Sequence, residues 1–283
     1  FYGAGPNRWD YFSGAGFERN QHIYSETNCY FIHISASDAP LRIQPVALSA
    51  ATATHSVVSY DYYDIHELET NSLVGGGQRW YGELFDGELT QTITFNTPDL
   101  VSESPLAFQY AVASNANSGG NSFRFFFEGN LIQSQSLSSV SADYGRNTGT
   151  FTINTTAASI PLTVTLNRIN PAVKGYLDFI ELTGRRSLRM TGNQFQFRDL
   201  ASAGAGNVSD FTVTGVSSLN TIWEITNKRN PGSVAATLNG SQMTFRVATD
   251  TVREFIVFNN SYLTPAFVST VPNQDLHALD FAD

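Results

Sequence analysis

Nearly every strong hydrophobic pattern in this chain has a period of two residues, and helix signals are scarce. A period of two places successive side chains on opposite faces of a strand, whereas an amphipathic helix needs a period near 3.6. Turn residues, above all Gly and Asn, separate the runs, which is typical of antiparallel sheets. The predicted strands lie at residues 30–34, 92–95, 106–110, 122–127, 149–153, 162–166, 177–182, 194–198, 210–214, 221–225, 243–247 and 254–258. We therefore predict an all-β protein.

The spacing of these runs predicts two tandem antiparallel β-sandwich domains. Residues 1–184 are expected to form a jelly-roll-like sandwich, with N-terminal strands left over from a preceding region. Residues 185–270 have the size and strand number of an immunoglobulin-like sandwich. Residues 271–283 are expected to be a linker. Turns are predicted at residues 117–120, 128–130 and 147–149, and a further turn at 184–186 marks the domain boundary.

Charge and hydropathy exclude several classes of protein. The formal net charge is −9, only 14% of the residues are charged, and no basic run is present. Nucleic-acid binding depends on basic patches, so we predict no nucleic-acid partner. No stretch approaches the roughly 18 apolar residues of a transmembrane helix, so we predict no membrane-spanning segment. The low charge and the many Ser, Thr and Asn residues are typical of exported proteins with neutral sheet faces.

Cys29 is the one cysteine of the chain. A single thiol excludes an intramolecular disulfide and a zinc site built from cysteines. As a nucleophile it would need a nearby base and a lowered pKa. Its setting is an apolar strand pattern, so we predict a buried, inert thiol.

The acidic segment at residues 61–69 is the one candidate metal site. Asp64, Glu67 and Glu69 could supply oxygen ligands to Ca²⁺. No loop of the Asp-x-Asp-x-Asp-Gly type is present, and a solvated edge is the favoured interpretation. We therefore predict no cofactor, with Ca²⁺ as an unsupported alternative.

Two adjacent aromatic residues, Trp80 and Tyr81, could form a platform on which a sugar ring stacks. Sandwiches and jelly rolls carry such sites. A tryptophan in a sandwich is more often part of the core. No Ser-His-Asp set, acid–base carboxylate pair or histidine cluster is recognisable, so we predict no catalytic residue in this chain.

Short strings in order along the chain resemble the PorU-like sortases of the type IX secretion system, which are gingipain-family cysteine peptidases of Bacteroidetes. Together the strings span almost the whole sequence. They lie at residues 1–6, 9, 24–27, 30–31, 66–67, 79–83, 85, 177–182, 185–188, 197–199, 206–208, 223–226 and 273–277.

The resemblance implies that this chain is a non-catalytic region upstream of a peptidase domain. The family's catalytic His and Cys fall after the stretch corresponding to this chain, so no residue here inherits those roles. The parent protein would remove C-terminal secretion signals from cargo and attach the cargo to a lipopolysaccharide-type anchor. The implied partners are the protein's own C-terminal peptidase domain, type IX secretion components and cargo proteins. The implied location is the outer membrane or cell surface of a Gram-negative bacterium.

Residues 250–252, Asp-Thr-Val, also resemble the acceptor sequence of Bacteroidetes O-glycosylation. The resemblance makes Thr251 a candidate for O-glycan attachment. An ordinary junction between a strand and a turn is the simpler interpretation of so short a match.

Two other functions compete with that of an accessory region. A carbohydrate-binding module would use the aromatic platform, and an adhesin-like spacer would need only rigid, independent domains. A large shared interface between the two sandwiches favours the accessory role, because a scaffold for catalysis must hold its parts in fixed positions.

Overall fold

The computed structural model describes residues 2–12, 16–22, 25, 27–32, 39, 42–73, 75, 79–102, 104–140 and 144–270. Within these ranges all regular structure is β, which confirms the predicted fold class. None of these segments forms a helix long and apolar enough to cross a membrane. The predicted linker, residues 271–283, lies outside the described residues.

Four short strands precede the first sandwich. They are β1 Arg8–Phe12, β2 Gly16–Asn20, β3 Gln44–Pro45 and β4 His55–Val57. Strands β1 and β2 pair only with each other and form an antiparallel hairpin. We call this element the N-terminal hairpin.

The first sandwich is built from nine strands. They are β5 Ser59–Glu67, β6 Leu84–Phe85, β7 Thr90–Asn96, β8 Leu106–Ser114, β9 Ser122–Phe127, β10 Asn130–Ser136, β11 Gly145–Ile153, β12 Ser159–Asn167 and β13 Gly175–Ser187. One sheet has the order β10-β9-β12-β7, and the other has the order β11-β8-β13-β5 with β6 beside β13. All pairings are antiparallel.

Alternation explains why these strands pack as two layers. In β12 the residues at every second position are buried, and the intervening ones are exposed or half-buried. Aromatic rings from the two inner faces meet in the middle: the ring centroids of Tyr110 and Phe125 are 4.2 Å apart. Phe151 lies 5.5 Å from Phe125 and completes this cluster. Burial of these large apolar surfaces is the main source of stability.

The second sandwich takes seven strands from the end of the chain. They are β14 Gln194–Arg198, β15 Val208–Thr214, β16 Thr221–Glu224, β17 Gly232–Val234, β18 Thr237–Asn239, β19 Gln242–Ala248 and β20 Glu254–Phe258. Phe211 and Phe245 of one sheet stack with centroids 5.0 Å apart, and Phe255 of the other sheet lies 5.1 Å from each.

Strands β3 and β4 complete the second sandwich although they precede the first in sequence. The two sheets have the orders β14-β20-β16-β17-β3 and β18-β19-β15-β4. Strand β3 pairs in parallel with β17, and β4 pairs in parallel with β15. The first sandwich is thus inserted between β4 and β14. The predicted division into residues 1–184 and 185–270 makes the two sandwiches consecutive in sequence, so it assigns β3 and β4 to the first sandwich instead of the second.

The chain crosses between the sandwiches twice, at neighbouring positions. Val58 alone separates β4 from β5, and Leu188 directly follows β13. The Leu188 N–H donates to the carbonyl of Val58 at 2.7 Å, which ties the two crossings together. Leu188 is also buried in a hydrophobic cluster that includes residues of both sandwiches.

Two predicted turns are wrong because their glycines serve packing inside strands. Residues 147–149 lie within β11, and residues 184–186 lie within β13. A Cβ on Gly149 would come within 2.2 Å of the Tyr110 hydroxyl oxygen, and one on Gly184 within 2.4 Å of Leu106 Cδ2. Glycine is required there by close approach of a neighbouring side chain, which is a recognised use of strand glycines.

The prediction of a buried strand around Cys29 is also wrong. Residues 28–32 form no strand, and Cys29 is exposed. Side chains rather than a backbone ladder hold this segment: Asn28 Nδ2 donates to the Ala4 carbonyl at 2.8 Å, and the Tyr30 hydroxyl donates to the same oxygen. The apolar run therefore lacks a partner strand.

The strand glycine of β11 generates a stability prediction. We expect Gly149→Ala to lower the free energy of unfolding by about 1–3 kcal/mol, because the new methyl group must displace the ring of the buried Tyr110. Urea denaturation followed by tryptophan fluorescence measures this change.

Gly87→Ala is the matched control, since a Cβ at Gly87 meets no heavy atom within 4 Å. Its stability should stay within about 1 kcal/mol of the wild type. Equal stabilities of the two variants would contradict the packing role of Gly149.

Candidate functional site at the junction of the two sandwiches

The N-terminal hairpin covers the outer face of β5 and β13. Cross-strand register places Trp9, Phe17 and Arg19 on one face of the hairpin. The Trp9 ring stacks on Phe17 at 4.3 Å and on Tyr63 of β5 at 4.9 Å between centroids. This aromatic contact fixes the hairpin against the first sandwich.

Arg19 anchors the hairpin to two carboxylates of the first sandwich. Its Nη2 atom lies 2.6 Å and 2.5 Å from the two carboxylate oxygens of Glu67, and Nη1 lies 3.7 Å from Glu181 Oε1. Burial raises the pKa of Glu181, although Arg19 and a hydrogen bond from the Tyr63 hydroxyl act against it. The positive charge of Arg19 is therefore needed to keep two close carboxylates on this face.

The same hairpin contacts the second sandwich. Lys228 Nζ lies 3.0 Å from Asp10 Oδ1 and 3.6 Å from Glu254 Oε2. The guanidinium carbon of Arg198 lies 4.3 Å from the centre of the Trp9 ring, a cation–π contact, and Arg198 also pairs with Glu254. The hairpin thus contacts both sandwiches with charged and aromatic groups.

Near the hairpin the two sandwiches are joined directly by a largely buried ion network. Arg185 of β13 has one guanidinium nitrogen 2.8 Å from Asp61 Oδ1 and the other 2.6 Å from Asp199 Oδ1. The Leu200 N–H donates to Asp61 Oδ2 at 2.7 Å, so Asp61 of the first sandwich also holds the backbone of the second. Burial raises the pKa of Asp61, against the opposing effects of the Leu200 N–H and Arg185.

An apolar contact lies next to this network. The Tyr60 ring is 5.7 Å from Phe195 and 6.5 Å from Phe197, centroid to centroid. All three belong to one hydrophobic cluster, in which Tyr60 and Phe197 are buried and Phe195 is half-buried. The junction therefore has a continuous core as well as ion pairs, which is the expected feature of a rigid interface.

A cleft of about 460 Å³ runs along the edge strand β5 at this junction. The hairpin, β5, β13, β14, Lys228 and Glu254 form its walls. Its lining is aromatic and charged, and the main contributors are Tyr2, Trp9, Arg19, Tyr60, Asp61, Tyr62, Glu67, Arg186, Phe195, Arg198, Lys228 and Glu254. A volume of this size is within the range of small-molecule and peptide-end sites.

The predicted metal ligands have protein partners. Glu67 pairs with Arg19, and Gln21 Nε2 donates to Glu67 at 3.1 Å and to Glu69 at 2.9 Å. Asp64 accepts a hydrogen bond from the Tyr62 hydroxyl at 3.0 Å. Across the described ranges no group of three or more His, Cys, Asp or Glu residues could hold a metal ion. The Ca²⁺ alternative has no support from this arrangement.

The predicted aromatic platform is divided between surface and interior. Trp80 is 40% exposed, whereas Tyr81 is 8% exposed and packs against Ala113 and Tyr176. Only the tryptophan of the pair presents a ring to solvent, so the two rings cannot both contact one sugar. Thr251 is exposed in the turn between β19 and β20, and its glycosylation stays a prediction.

Apart from Glu67, which is predicted only as a candidate metal ligand, the residues of the junction are missing from the sites predicted from sequence. The alternation in residues 8–12 and 16–20, with Ser13 and Gly14 in the sequence between them, is a pattern that predicts a hairpin. The pairing of Arg19 with Glu67, 48 positions apart, leaves no local signal. Long-range ion pairs become visible only once β5 and the hairpin are placed.

Arg19→Gln tests the attachment of the hairpin. The substitution leaves Glu67 and Glu181 close together without their cation, and we expect local opening of the hairpin to become easier by about 1–3 kcal/mol. Hydrogen exchange of the β1 and β2 amides measures the opening. Arg229→Gln, at an exposed position, is the control and should leave the exchange rates unchanged. Unchanged protection in the Arg19 variant would show that the aromatic contacts suffice.

Asp10 makes the attachment sensitive to acid. Burial acts to raise the pKa of Asp10, but the hydrogen bond and charge of Lys228 outweigh it, so the pKa lies below the ordinary 3.8. A lowered pKa means that the contribution is present above about pH 4 and is lost as pH falls through the folded-state pKa.

We therefore expect Asp10→Asn to reduce hairpin protection at pH 7, and the difference from wild type to vanish as pH falls through the lowered folded-state pKa of Asp10. Glu18→Gln, across the hairpin at an exposed position, is the control. Hydrogen exchange at a series of pH values is the measurement. A difference that persists at low pH would mean that Asp10 does not act through its charge.

Comparisons with known proteins add a structural likeness. No protein-family model matches the chain, and no curated protein matches it. The crystal structure of dimeric latent PorU from Porphyromonas gingivalis is similar, with a TM-score of 0.80 and 22% sequence identity. The match covers 99% of this chain and 28% of the PorU chain, so this chain spans little more than a quarter of that protein's length. The interleaved pair of sandwiches described above is therefore a fold that this chain shares with part of PorU.

Proposed function

We propose that this chain is a non-catalytic scaffold region of a surface cysteine peptidase similar to the type IX secretion sortases. The observation that carries the proposal is the likeness to PorU over 99% of this chain. In this proposal the catalytic His and Cys lie in a gingipain-type domain that follows, and the parent removes C-terminal secretion signals from cargo. The protein would act at the outer membrane or cell surface, in contact with secretion components and cargo.

The junction supports a positioning role. Two adjacent chain crossings, a continuous apolar core and the Arg185 network couple the sandwiches. A scaffold needs such coupling, because only a rigid support holds a catalytic domain in a fixed position. A spacer of independent domains would have no use for charges buried between its parts, since burying them costs free energy.

The alternative of a carbohydrate-binding module has less support. Its predicted platform requires two exposed rings, and Tyr81 is buried. The adhesin-like spacer is disfavoured by the shared junction. The accessory role is therefore the proposal that we carry forward.

The test uses the full product of the gene that encodes this chain. We expect it to contain a peptidase domain with a His and Cys pair after residue 283, and to cleave a reporter bearing a C-terminal secretion signal. Arg185→Gln should reduce this cleavage, because Asp61 and Asp199 would be left as uncompensated buried charges at the junction. The loss of the cation should cost about 3–5 kcal/mol of stability.

Arg229→Gln is again the control and should cleave like the wild type. Absence of a peptidase domain in the gene product would overturn the proposal as a whole. Full cleavage activity in an Arg185 variant with a demonstrably loosened junction would overturn the positioning role alone. The isolated 283-residue chain is expected to show no hydrolysis of the reporter.

A further inference from the structure

Arg186 is a largely buried cation for which the described residues supply no hydrogen-bond acceptor at Nε. The residue is 8% exposed, and its Nε atom is buried with no partner. Within the described part of the chain, its side chain donates no hydrogen bond and lies within 4 Å of no carboxylate. The guanidinium carbon of Arg186 lies 4.7 Å from the centre of the Tyr62 ring, which is a cation–π contact.

This arrangement is costly for the protein alone. A guanidinium carries five N–H donors, and buried charges are nearly always paired or hydrogen-bonded. An unpaired buried charge destabilises a fold. A cation–π contact with one ring offsets only part of that cost. A ligand that supplies acceptor oxygens would remove the deficit.

The position of Arg186 gives such a ligand access. Arg186 lines the cleft at the junction together with Tyr60, Tyr62 and Phe195. It is opposite Tyr60 in the register of β13 and β5 and therefore points to the inner face, away from the Arg185 network. Burial raises the pKa of Tyr60, and the positive charge of Arg186 acts against this rise. The Arg186 charge therefore lies near the Tyr60 ring.

The other basic side chains of the cleft are already paired. The cleft is lined by five basic and three acidic side chains. Arg8 and Lys228 contact Asp10, Arg19 contacts Glu67, and Arg198 contacts Glu254. Among the carboxylates that the structure describes, Arg186 alone of these five has no partner, although the chain as a whole carries a net charge of −9.

We propose that the cleft binds a monovalent carboxylate attached to an apolar group, with the carboxylate on the guanidinium of Arg186. A planar guanidinium accepts a carboxylate in a bidentate geometry. A single negative charge balances the one unpaired cation, whereas a dianionic phosphate would leave one negative charge without a partner. The aromatic walls Tyr60, Tyr62 and Phe195 suit an apolar substituent. This site goes beyond the scaffold role and does not depend on it.

Isothermal titration calorimetry on the 283-residue protein tests the site with five probes. These are 3-phenylpropionate, N-acetylphenylalanine, the amide of each acid, and inorganic phosphate at matched ionic strength. We expect both acids to bind and to raise the melting temperature, and both amides and phosphate to bind at least tenfold more weakly. Tighter binding of N-acetylphenylalanine would assign the site to peptide ends, and tighter binding of phenylpropionate to free organic acids.

Arg186→Met identifies the residue responsible. We expect at least tenfold weaker binding of both acids, with the ligand-free protein as stable as the wild type or more so, because an unpaired buried charge is removed. Arg189→Gln is the matched control: Arg189 lies three positions further along, is 58% exposed and pairs with Asp99. It should bind like the wild type.

The comparison of each acid with its amide needs no variant, so it stays decisive if Arg186→Met fails to fold. Equal affinity for acid and amide, or unchanged acid binding in a folded Arg186→Met variant, would overturn the proposal. Phosphate binding as tight as that of the acids would overturn the choice of a monovalent carboxylate. None of these results bears on the peptidase test of the proposed scaffold role.

Discussion

The rest of the structure depends on the hydrogen bond between the Leu188 N–H and the Val58 carbonyl, which joins the two points where the chain passes between the sandwiches. One residue separates β4 from β5, and β13 runs directly into Leu188. Two adjacent crossings without linkers remove the hinge that a single tandem connection would provide. Relative motion of the sandwiches would therefore strain two strands at once, and the default expectation of mobile domains does not apply.

The close crossings also explain why charges can be buried at this junction. Arg185 lies three residues before Leu188, where the chain crosses between the sandwiches. The two carboxylates that pair with Arg185, those of Asp61 and Asp199, come from different sandwiches. A buried ion pair is favourable only when its geometry is excellent. The crossings hold the two sandwiches close together in advance, so little conformational entropy is lost in forming the pairs. The N-terminal hairpin lies beside the network, since its Trp9 stacks on Tyr63, two positions along β5 from Asp61.

The sequence predicts the strands well where one face is buried and fails where long-range placement decides. Residues 162–166 alternate cleanly because β12 has one face in the core. The sequence predicts turns at Gly149 and Gly184, because a glycine required by a turn and a glycine required by close packing of a neighbouring side chain look alike in sequence. Only the positions of Tyr110 and Leu106 across the layers distinguish the two uses.

The interleaving of the sandwiches was harder still to predict. Strands β3 and β4 have two and three residues, too few to show a period. Their parallel partners lie more than 150 positions away, as in the pairing of His55 with Ser209. The candidate site shares this difficulty, because its charges come from the hairpin, β5, β13 and the second sandwich. Burial of Arg186 likewise depends on the placement of Tyr60 and Tyr62 above it.

The short strings that resemble the sortases gain a physical meaning from the junction. Trp9, in one of those strings, lies in the N-terminal hairpin, and Glu67 and Glu181, in two others, contact Arg19 of the hairpin. The strings also contain Arg185, Leu188 and Asp199, which join the sandwiches, and Arg198, which contacts the Trp9 ring. At 22% identity most aligned positions differ from PorU. Alternation with many different apolar residues can rebuild the same layers, but a buried charge needs its particular partner. Several of the strings therefore lie at contacts where substitution is poorly tolerated, and these are contacts that a rigid scaffold requires.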